Sequence, residues 1–310
     1  MTKYPVLDGH CDTAVELWRK GESLAKNSGQ ISLAQAAEFP AYVQFFAFCT
    51  VWIKNAQTDE ERFASAMTYF SEQLREHNIP LCRTSADVSA ILQNGGVGAA
   101  LSIEGAEAFD CDPGRLEELA AQGVRMIAPV WNAENALAGS CMTGGGLTAQ
   151  GHEFVRRAQR AGILVDVSHS SERTFWDICE IAEKPIVASH SNAKAVCGHV
   201  RNLTDEQFRA ICDLGGTAGL NLYAPFLNAS GEASMDDVRR HLEHFLERDG
   251  DGHLALGGDL DGCDVLPDGM HGLRDYALLE TNFENWGFGE QIVRNLFYQS
   301  LEKVVKLCIM

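Results

Sequence analysis

The sequence contains no G-x-S-x-G motif, no C-x-x-C pair and no apolar run long enough to span a bilayer. Because this motif is absent, the sequence does not indicate a serine nucleophile. The first ten residues lack the long apolar core of a signal peptide. We therefore expect a protein of the cytoplasm that does not associate with membranes.

Basic residues are also scarce. The chain has 25 Lys and Arg against 43 Asp and Glu, a formal net charge of −18. Nucleic acids are bound by clustered Lys and Arg, so this composition argues against a nucleic-acid partner. The ten cysteines form no tight framework, and Cys49, Cys82, Cys179 and Cys212 stand in apolar or helical contexts. Such cysteines are usually small buried residues in a reducing compartment.

Short apolar runs alternate with amphipathic helical segments along the whole chain. Their near-continuous hydrophobicity is typical of parallel strands that are covered on both faces. Eight strands with intervening helices indicate an α/β fold, a (β/α)8 TIM-type barrel formed by one domain over residues 1–310. A doubly wound open sheet is the alternative, because counting strands does not show closure. The predicted strands cover residues 4–10, 42–52, 97–104, 124–131, 162–169, 185–190, 216–223 and 253–259.

Side chains that bind metals end five of these strands. In a barrel the carboxyl ends of all strands meet at one rim, where active sites form. The sequence therefore predicts a metal site there, because an isolated H-x-D is common by chance whereas this joint placement is not. The six residues are His10 and Asp12 (first strand), Glu104 (third), His169 (fifth), His190 (sixth) and Asp259 (eighth).

The H-x-D of the first strand suits one ion. Side chains alternate along a strand, so His10 and Asp12 share a face and Cys11 points away. Imidazole nitrogen together with carboxylate oxygen is typical of Zn²⁺ sites and also of Mn²⁺ or Fe²⁺ sites. A carboxylate has two oxygens, so Glu104 has the means to bridge two ions. A pair of ions can activate water and polarise the group that it attacks.

Several stretches resemble the membrane dipeptidase (renal dipeptidase) family of the amidohydrolase superfamily. The resemblance covers most of the chain, and the long middle run is its most specific part. The family fold is a (β/α)8 barrel, which agrees with the strand count. The matching stretches are DGHCDT (8–13), SIEG (102–105), GLTAQGHEFVRRAQRAGILVDVSHSSERTFWDI (146–178), SHSNAKAVCGHVRNLTDEQ (189–207) and GGDLDG (257–262).

The resemblance implies a dipeptidase with two zinc ions. His10 and Asp12 would hold the first ion, His169 and His190 the second, with Glu104 and a hydroxide bridging them. Asp259 matches the acidic residue that manages the proton of the attacking water. Arg201 matches the arginine that binds the terminal carboxylate of the substrate, which would be a small peptide such as L-Xaa-D-Xaa. The sequence is also compatible with a homodimer.

One departure from the family pattern falls inside the expected site. The family reads L-T-H-N-x-x-N-x-x-G-D-S after the fourth strand, where this chain has PVWNAENALAGS (129–140). Trp131 thus replaces a histidine that contacts substrate and helps stabilise the tetrahedral intermediate. Losing one such donor costs about 10²–10³ in turnover. Tyr223 ends the seventh strand and is a further candidate for substrate contact, with an ordinary rim aromatic as its alternative.

Two other functions stay open at this point. Trp131 offers a different donor and more bulk, which favours another small amide, a lactam or an ester as substrate. A metal-stabilised protein that binds peptides without hydrolysis is the last alternative, and Asp259 argues against it. His241 and His244 do not form H-E-x-x-H, and we expect them on a solvated helix face.

Overall fold

The computed structural model describes residues 2–309 and contains all eight predicted strands. Several are shorter than the apolar runs that predict them, because the chain leaves the sheet where it enters the rim loops. The strands are β1 (Val6–Cys11), β2 (Ala41–Phe48), β3 (Gly96–Glu104), β4 (Val124–Ala128), β5 (Leu164–Val165), β6 (Val187–Ala188), β7 (Thr217–Leu220) and β8 (Leu254–Leu256).

All pairings between these strands are parallel, in the order β5-β4-β3-β2-β1-β8-β7-β6. The two end strands of this order also meet. Asp166 and Val187 form an isolated parallel bridge, and the Val167 amide donates to the Val187 carbonyl at 2.8 Å. The circuit of eight strands is therefore complete, as in a TIM-type barrel. The prediction of a (β/α)8 barrel is confirmed, and the open doubly wound sheet is excluded.

The helices lie between the strands and begin where the sequence signals a start. Thr204 forms a capping box with Gln207 at the start of the helix Asp205–Asp213, and Gly123 ends the helix Leu116–Gln122 in a left-handed conformation. The helices are α1 (Thr13–Lys20), α2 (Leu33–Ala36), α3 (Asp59–Glu76), α4 (Ser85–Asn94), α5 (Leu116–Gln122), α6 (Ala149–Arg160), α7 (Glu172–Ile181), α8 (Asp205–Asp213), α9 (Ala224–Leu227), α10 (Met235–Leu246), α11 (Tyr276–Asn285), α12 (Glu290–Arg294) and α13 (Ser300–Cys308).

Two apolar layers hold the barrel. Alternate strand residues such as Leu7, Val43 and Phe45 form the inner layer together with Leu301 and other residues of α13. The strand residues between them pack outward against the surrounding helices, and the rings of Phe46 and Phe70 lie 4.7 Å apart. Since α13 packs into the inner layer from the amino end, the carboxyl rim is left for the site.

Within residues 2–309 all ten cysteines are free thiols, with Cys49 and Cys82 buried and Cys179 and Cys212 half-buried. Among the helices of this described range, none combines the length and the apolar character that crossing a bilayer requires.

His241 does not lie on a solvated face as expected. Its side chain is fully buried, where Nδ1 accepts from the Ala193 amide and Nε2 donates to the Leu227 carbonyl, both at 3.0 Å. The expectation was wrong because helix α10 packs this face against the rim loops that follow β6 and β7. His244 is half-buried and contacts Asp205 at 2.7 Å. His241 thus ties together the two loops that carry Arg201 and Tyr223.

Replacing His241 with Phe is expected to lower the free energy of unfolding by about 2–5 kcal/mol, because a buried amide and a buried carbonyl lose their partners. Burial lowers the pKa of His241 to about 4. The unfolded pKa is about 6.5, so the stability that neutral His241 provides is complete above that pH and falls as the pH drops toward 4. Urea denaturation at several pH values measures both effects. His244→Phe is the matched control, and equal losses in the two variants would contradict the assignment.

Candidate metal centre and substrate cavity

A bulge in β1 brings His10 to the barrel mouth. Asp8 pairs with Gln44 and Cys11 pairs with Phe46, so β1 has one extra residue between these pairs. Bulges of this kind re-aim side chains beside active sites. His10 turns into the mouth, Cys11 packs in the outer apolar layer, and Asp12 follows the strand directly. His10 Nε2 lies 3.5 Å from Asp12 Oδ2, as the H-x-D predicts.

Glu104 lies at the centre of the cluster. Its Oε1 is 2.6 Å from His169 Nε2 and 3.3 Å from His190 Nε2, and its Oε2 is 3.8 Å from His10 Nε2. Burial alone would raise the pKa of Glu104, but His169 and His10 outweigh it and hold that pKa well below its usual range. One ionised carboxylate therefore faces three imidazoles with both oxygens.

The donor atoms fit divalent cations. His169 Nε2 and His190 Nε2 are only 3.2 Å apart, and His10 Nε2 is buried without a hydrogen-bond partner among residues 2–309. Ring nitrogens and carboxylates that converge in this way are the ligand set of zinc and related ions. Among residues 2–309, ligand atoms lie within 4.8 Å of one another in three overlapping groups: His10, Asp12 and Asp259; Glu104, His169 and His190; and His10, Asp166 and His190.

Asp259 adjoins this cluster on the loop after β8. Its Oδ1 is 3.8 Å from His10 Nε2, and its Oδ2 accepts a hydrogen bond from Asn221 Nδ2 at 2.9 Å. Gly262 leaves room for the two carboxylates, because a Cβ there would be 2.2 Å from Asp12 Oδ2 and 2.5 Å from Asp259 Oδ1. Asn221 thus fixes Oδ2 of Asp259, and Oδ1 points toward the centre of the ligand cluster.

Sequence reasoning missed the residues that orient the histidines. Asp166 accepts from the Ser189 hydroxyl, and that hydroxyl is 2.7 Å from His190 Nδ1. Asn132 Oδ1 is 3.1 Å from His169 Nδ1. Such outer contacts fix the ring orientation of metal-binding histidines. Asp166 could have been found because it is a carboxylate within an apolar strand. A buried carboxylate needs hydrogen-bond donors around it, and this indicates a polar network at that place.

Arg201 is 5% exposed and lies beside the cluster. Its Nη2 is 2.8 Å from His190 Nε2, and its guanidinium carbon lies 5.5 Å from the centre of the Phe226 ring. Within the described part of the chain, Nε and Nη1 have no hydrogen-bond partner. Buried donors are nearly always paired, so this guanidinium is suited to an anionic ligand.

A cavity of about 480 Å³ opens above the cluster and has room for a small molecule. Trp131 lies in its wall with its ring 6.3 Å from that of His169. Tyr223 also lines it and packs edge-on against Phe226 at 4.9 Å. The structure therefore places all nine predicted site residues in or directly beneath one cavity.

The closed barrel and its rim cluster define the class of metal-dependent barrel hydrolases. More narrowly, the model of the membrane dipeptidase family (peptidase family M19) matches residues 1–308, and the chain belongs to this family. The protein is therefore a metallodipeptidase, an enzyme that hydrolyses peptide bonds.

Two of three similar proteins carry a peptidase or dipeptidase name. A metallopeptidase from Rhodobacter sphaeroides, solved with a phosphinate mimic of L-Ala-D-Ala, is 27% identical with a TM-score of 0.89 and covers 99% of this chain and 100% of its own. An "Uncharacterized protein in pqqA 5'region" of Klebsiella pneumoniae is 35% identical over 76% of this chain and 92% of its own length. An "Uncharacterized dipeptidase" of Schizosaccharomyces pombe is 32% identical over 76% of this chain and 61% of its own.

Proposed function

We propose that this enzyme cleaves dipeptides that have a free C-terminal carboxylate, with two zinc ions held by His10, Asp12, Glu104, His169 and His190. The observation that carries the proposal is the position of Arg201. A buried guanidinium with free donors faces the same cavity as the ligand cluster. The phosphinate mimic of L-Ala-D-Ala bound to the Rhodobacter relative supports a dipeptide with a D-residue on its C-terminal side.

Arg201, Asp259 and Asn221 have different roles in the proposed reaction. Bound divalent ions would polarise the peptide carbonyl and lower the pKa of water. Arg201 fixes the substrate by its terminal carboxylate, with a planar fork that matches carboxylate geometry. Asp259 takes a proton from the attacking water and passes it to the leaving amine. Asn221 holds the far oxygen of Asp259, so the other oxygen stays directed at the reacting atoms.

A panel of L-Xaa-L-Xaa and L-Xaa-D-Xaa dipeptides, assayed with added Zn²⁺ or Mn²⁺, tests the proposal directly. We expect turnover of several members and faster cleavage with a D-residue at the C-terminal side. Metal analysis of protein purified without chelator should give about two equivalents per chain. Failure to hydrolyse every member of the panel, with metal bound, would overturn it.

Replacing Asp259 with Asn is expected to lower kcat by about 10²–10⁴-fold with little change in KM, because the proton loses its carrier. Steady-state kinetics give both parameters. Asp268→Asn alters an exposed carboxylate nine residues further on and is the control. An unchanged kcat in the Asp259 variant would remove its role in proton transfer.

Trp131 favours a second candidate, the hydrolysis of another small amide, a lactam or an ester. Its indole occupies the cavity wall near His169, where a donor would contact the substrate carbonyl. Trp131→His is expected to raise dipeptide turnover by about 10²-fold if the tryptophan has redirected the site. Parallel assays on dipeptides, lactams and esters distinguish the two functions. A variant that gains no dipeptidase activity would count against the redirected site.

We also propose a cytoplasmic location, a one-domain organisation and, as an option, a homodimer. Ten free thiols favour a reducing compartment. Cell fractionation, limited proteolysis and light scattering of the purified protein check these three points in turn.

A further inference from the structure

A second cavity of about 250 Å³ lies next to the substrate cavity, and Arg201 belongs to the walls of both. We call this second space the rear cavity. Its walls come from the loops after β4, β5 and β6, and they include Ser170, Lys194 and Asn202. Its volume is below the range of typical drug-sized pockets, so it is suited to a small group.

Polar atoms without partners are concentrated in this wall. Arg201, Ser170 and Asn202 are 5%, 9% and 3% exposed. Among residues 2–309, no hydrogen-bond partner is present for Arg201 Nε and Nη1, Ser170 Oγ or Asn202 Oδ1. Three of these four atoms can donate a hydrogen bond, and buried donors are nearly always paired in folded proteins. The rear cavity is therefore built to receive a ligand rich in acceptors.

The charges around the rear cavity favour an anion. Lys194 in its wall has no carboxylate within ion-pair distance in the described part of the chain. The wall residue Ser171 caps the N-terminus of helix α7, so the positive end of the helix dipole lies at the same wall. Of the described residues, Glu172 is the one negatively charged residue in the wall, and it is exposed. Two cations and a helix N-terminus thus outweigh one carboxylate.

We propose that the rear cavity binds a small carboxylate against Arg201 and Lys194. The Arg201 guanidinium has five N–H donors, and Nη2 lies 2.8 Å from His190 Nε2, so donors remain both for the terminal carboxylate in the substrate cavity and for a second anion in the rear cavity. The carboxylate has two sources with the same chemistry: the acidic side chain of a substrate's C-terminal residue, or a free carboxylate such as acetate. The first source rests on the proposed dipeptidase function, and the second does not.

The substrate source is tested with Ala-Asp and Ala-Asn, which differ in charge and hardly in shape. We expect the ratio of their kcat/KM values to fall about tenfold in Lys194→Met, the effect of one charge-assisted hydrogen bond. The ratio should stay unchanged in Lys184→Met, a control at an equally half-buried lysine outside the cavity.

The free-carboxylate source is tested by thermal unfolding of the metal-loaded enzyme with acetate at constant ionic strength. We expect acetate to raise Tm by about 2 °C in the wild type and in Lys184→Met, but not in Lys194→Met. Acetate bound to metal would affect all three proteins alike, so only the difference reports the rear cavity. This readout needs no turnover and stands if no dipeptide is cleaved.

Val200→Glu is the second variant, because Val200 is 49% exposed in the same wall and tolerates a polar side chain. The added carboxylate should weaken the acetate effect or the Ala-Asp preference by repulsion. A response of either readout to both variants supports the proposal. If neither readout responds to Lys194→Met or to Val200→Glu, the rear cavity is not an anion site.

Discussion

Replacing Glu104 with Gln is expected to lower kcat/KM for dipeptides by about 10³-fold or more, because the divalent ions that we propose would lose a charged ligand. Charge stabilisation by metal ions contributes several kcal/mol to such reactions, and each 1.36 kcal/mol is tenfold in rate. The amide of Gln is neutral and offers one oxygen. It cannot replace a carboxylate whose two oxygens face His10, His169 and His190.

Metal content provides the decisive measurement. We expect bound zinc, measured after purification without chelator, to fall below one equivalent per chain in Glu104→Gln. Glu107→Gln is the matched control, since Glu107 is half-buried three residues further along the chain and lies outside the ligand groups. A Glu104→Gln protein that keeps two zinc equivalents would contradict the bridging role, whatever its activity.

The second large effect is expected at Arg201. Arg201→Met should lower kcat/KM for a dipeptide by about 10²–10³-fold, mainly through KM, since truncating one partner of a buried charge pair costs about 2–5 kcal/mol. Arg201→Lys keeps the charge but loses the planar fork, so we expect an intermediate loss. Steady-state kinetics on each variant give the split between kcat and KM.

The C-terminal amide of the same dipeptide separates recognition from structure. Because the amide has no carboxylate, the wild type should cleave it poorly and Arg201→Met should cleave it almost as well as the wild type does. Arg209→Met, at an exposed arginine on the following helix, controls for loss of a positive charge. Equal losses on the dipeptide and on its amide would show that Arg201 supports the fold of the loop instead.

Much of the site could be predicted from the sequence. Strand ends can be read from apolar runs that stop at polar residues, and parallel strands end at one rim. His10, Asp12 and Glu104 follow from this rule alone. His169 and Asp259 lie several residues beyond their short strands, and their place in the cluster depends on how the rim loops fold back.

Other features could not be read from local patterns. The bulge in β1 is a mismatch between two strands, so it exists only once Asp8 and Cys11 are paired with β2. His241 has the spacing of a solvated helix residue, and only the packing of α10 against two loops buries it. Asp166 accepts from Ser168 at its own strand end and from Ser189 at the next one, and only folding brings Ser189 beside it. Arg201 faces the cluster because its loop folds over the barrel mouth.

The sequence by itself determined the periodicity of eight strands and the chemical identity of the ligands, because both depend on residue type and local spacing. Tertiary structure alone decided the closure of the barrel, the distances of 2.6–3.8 Å around Glu104 and the buried guanidinium shared by two cavities. These properties arise from contacts between residues far apart in the chain, whose free energies no local pattern records.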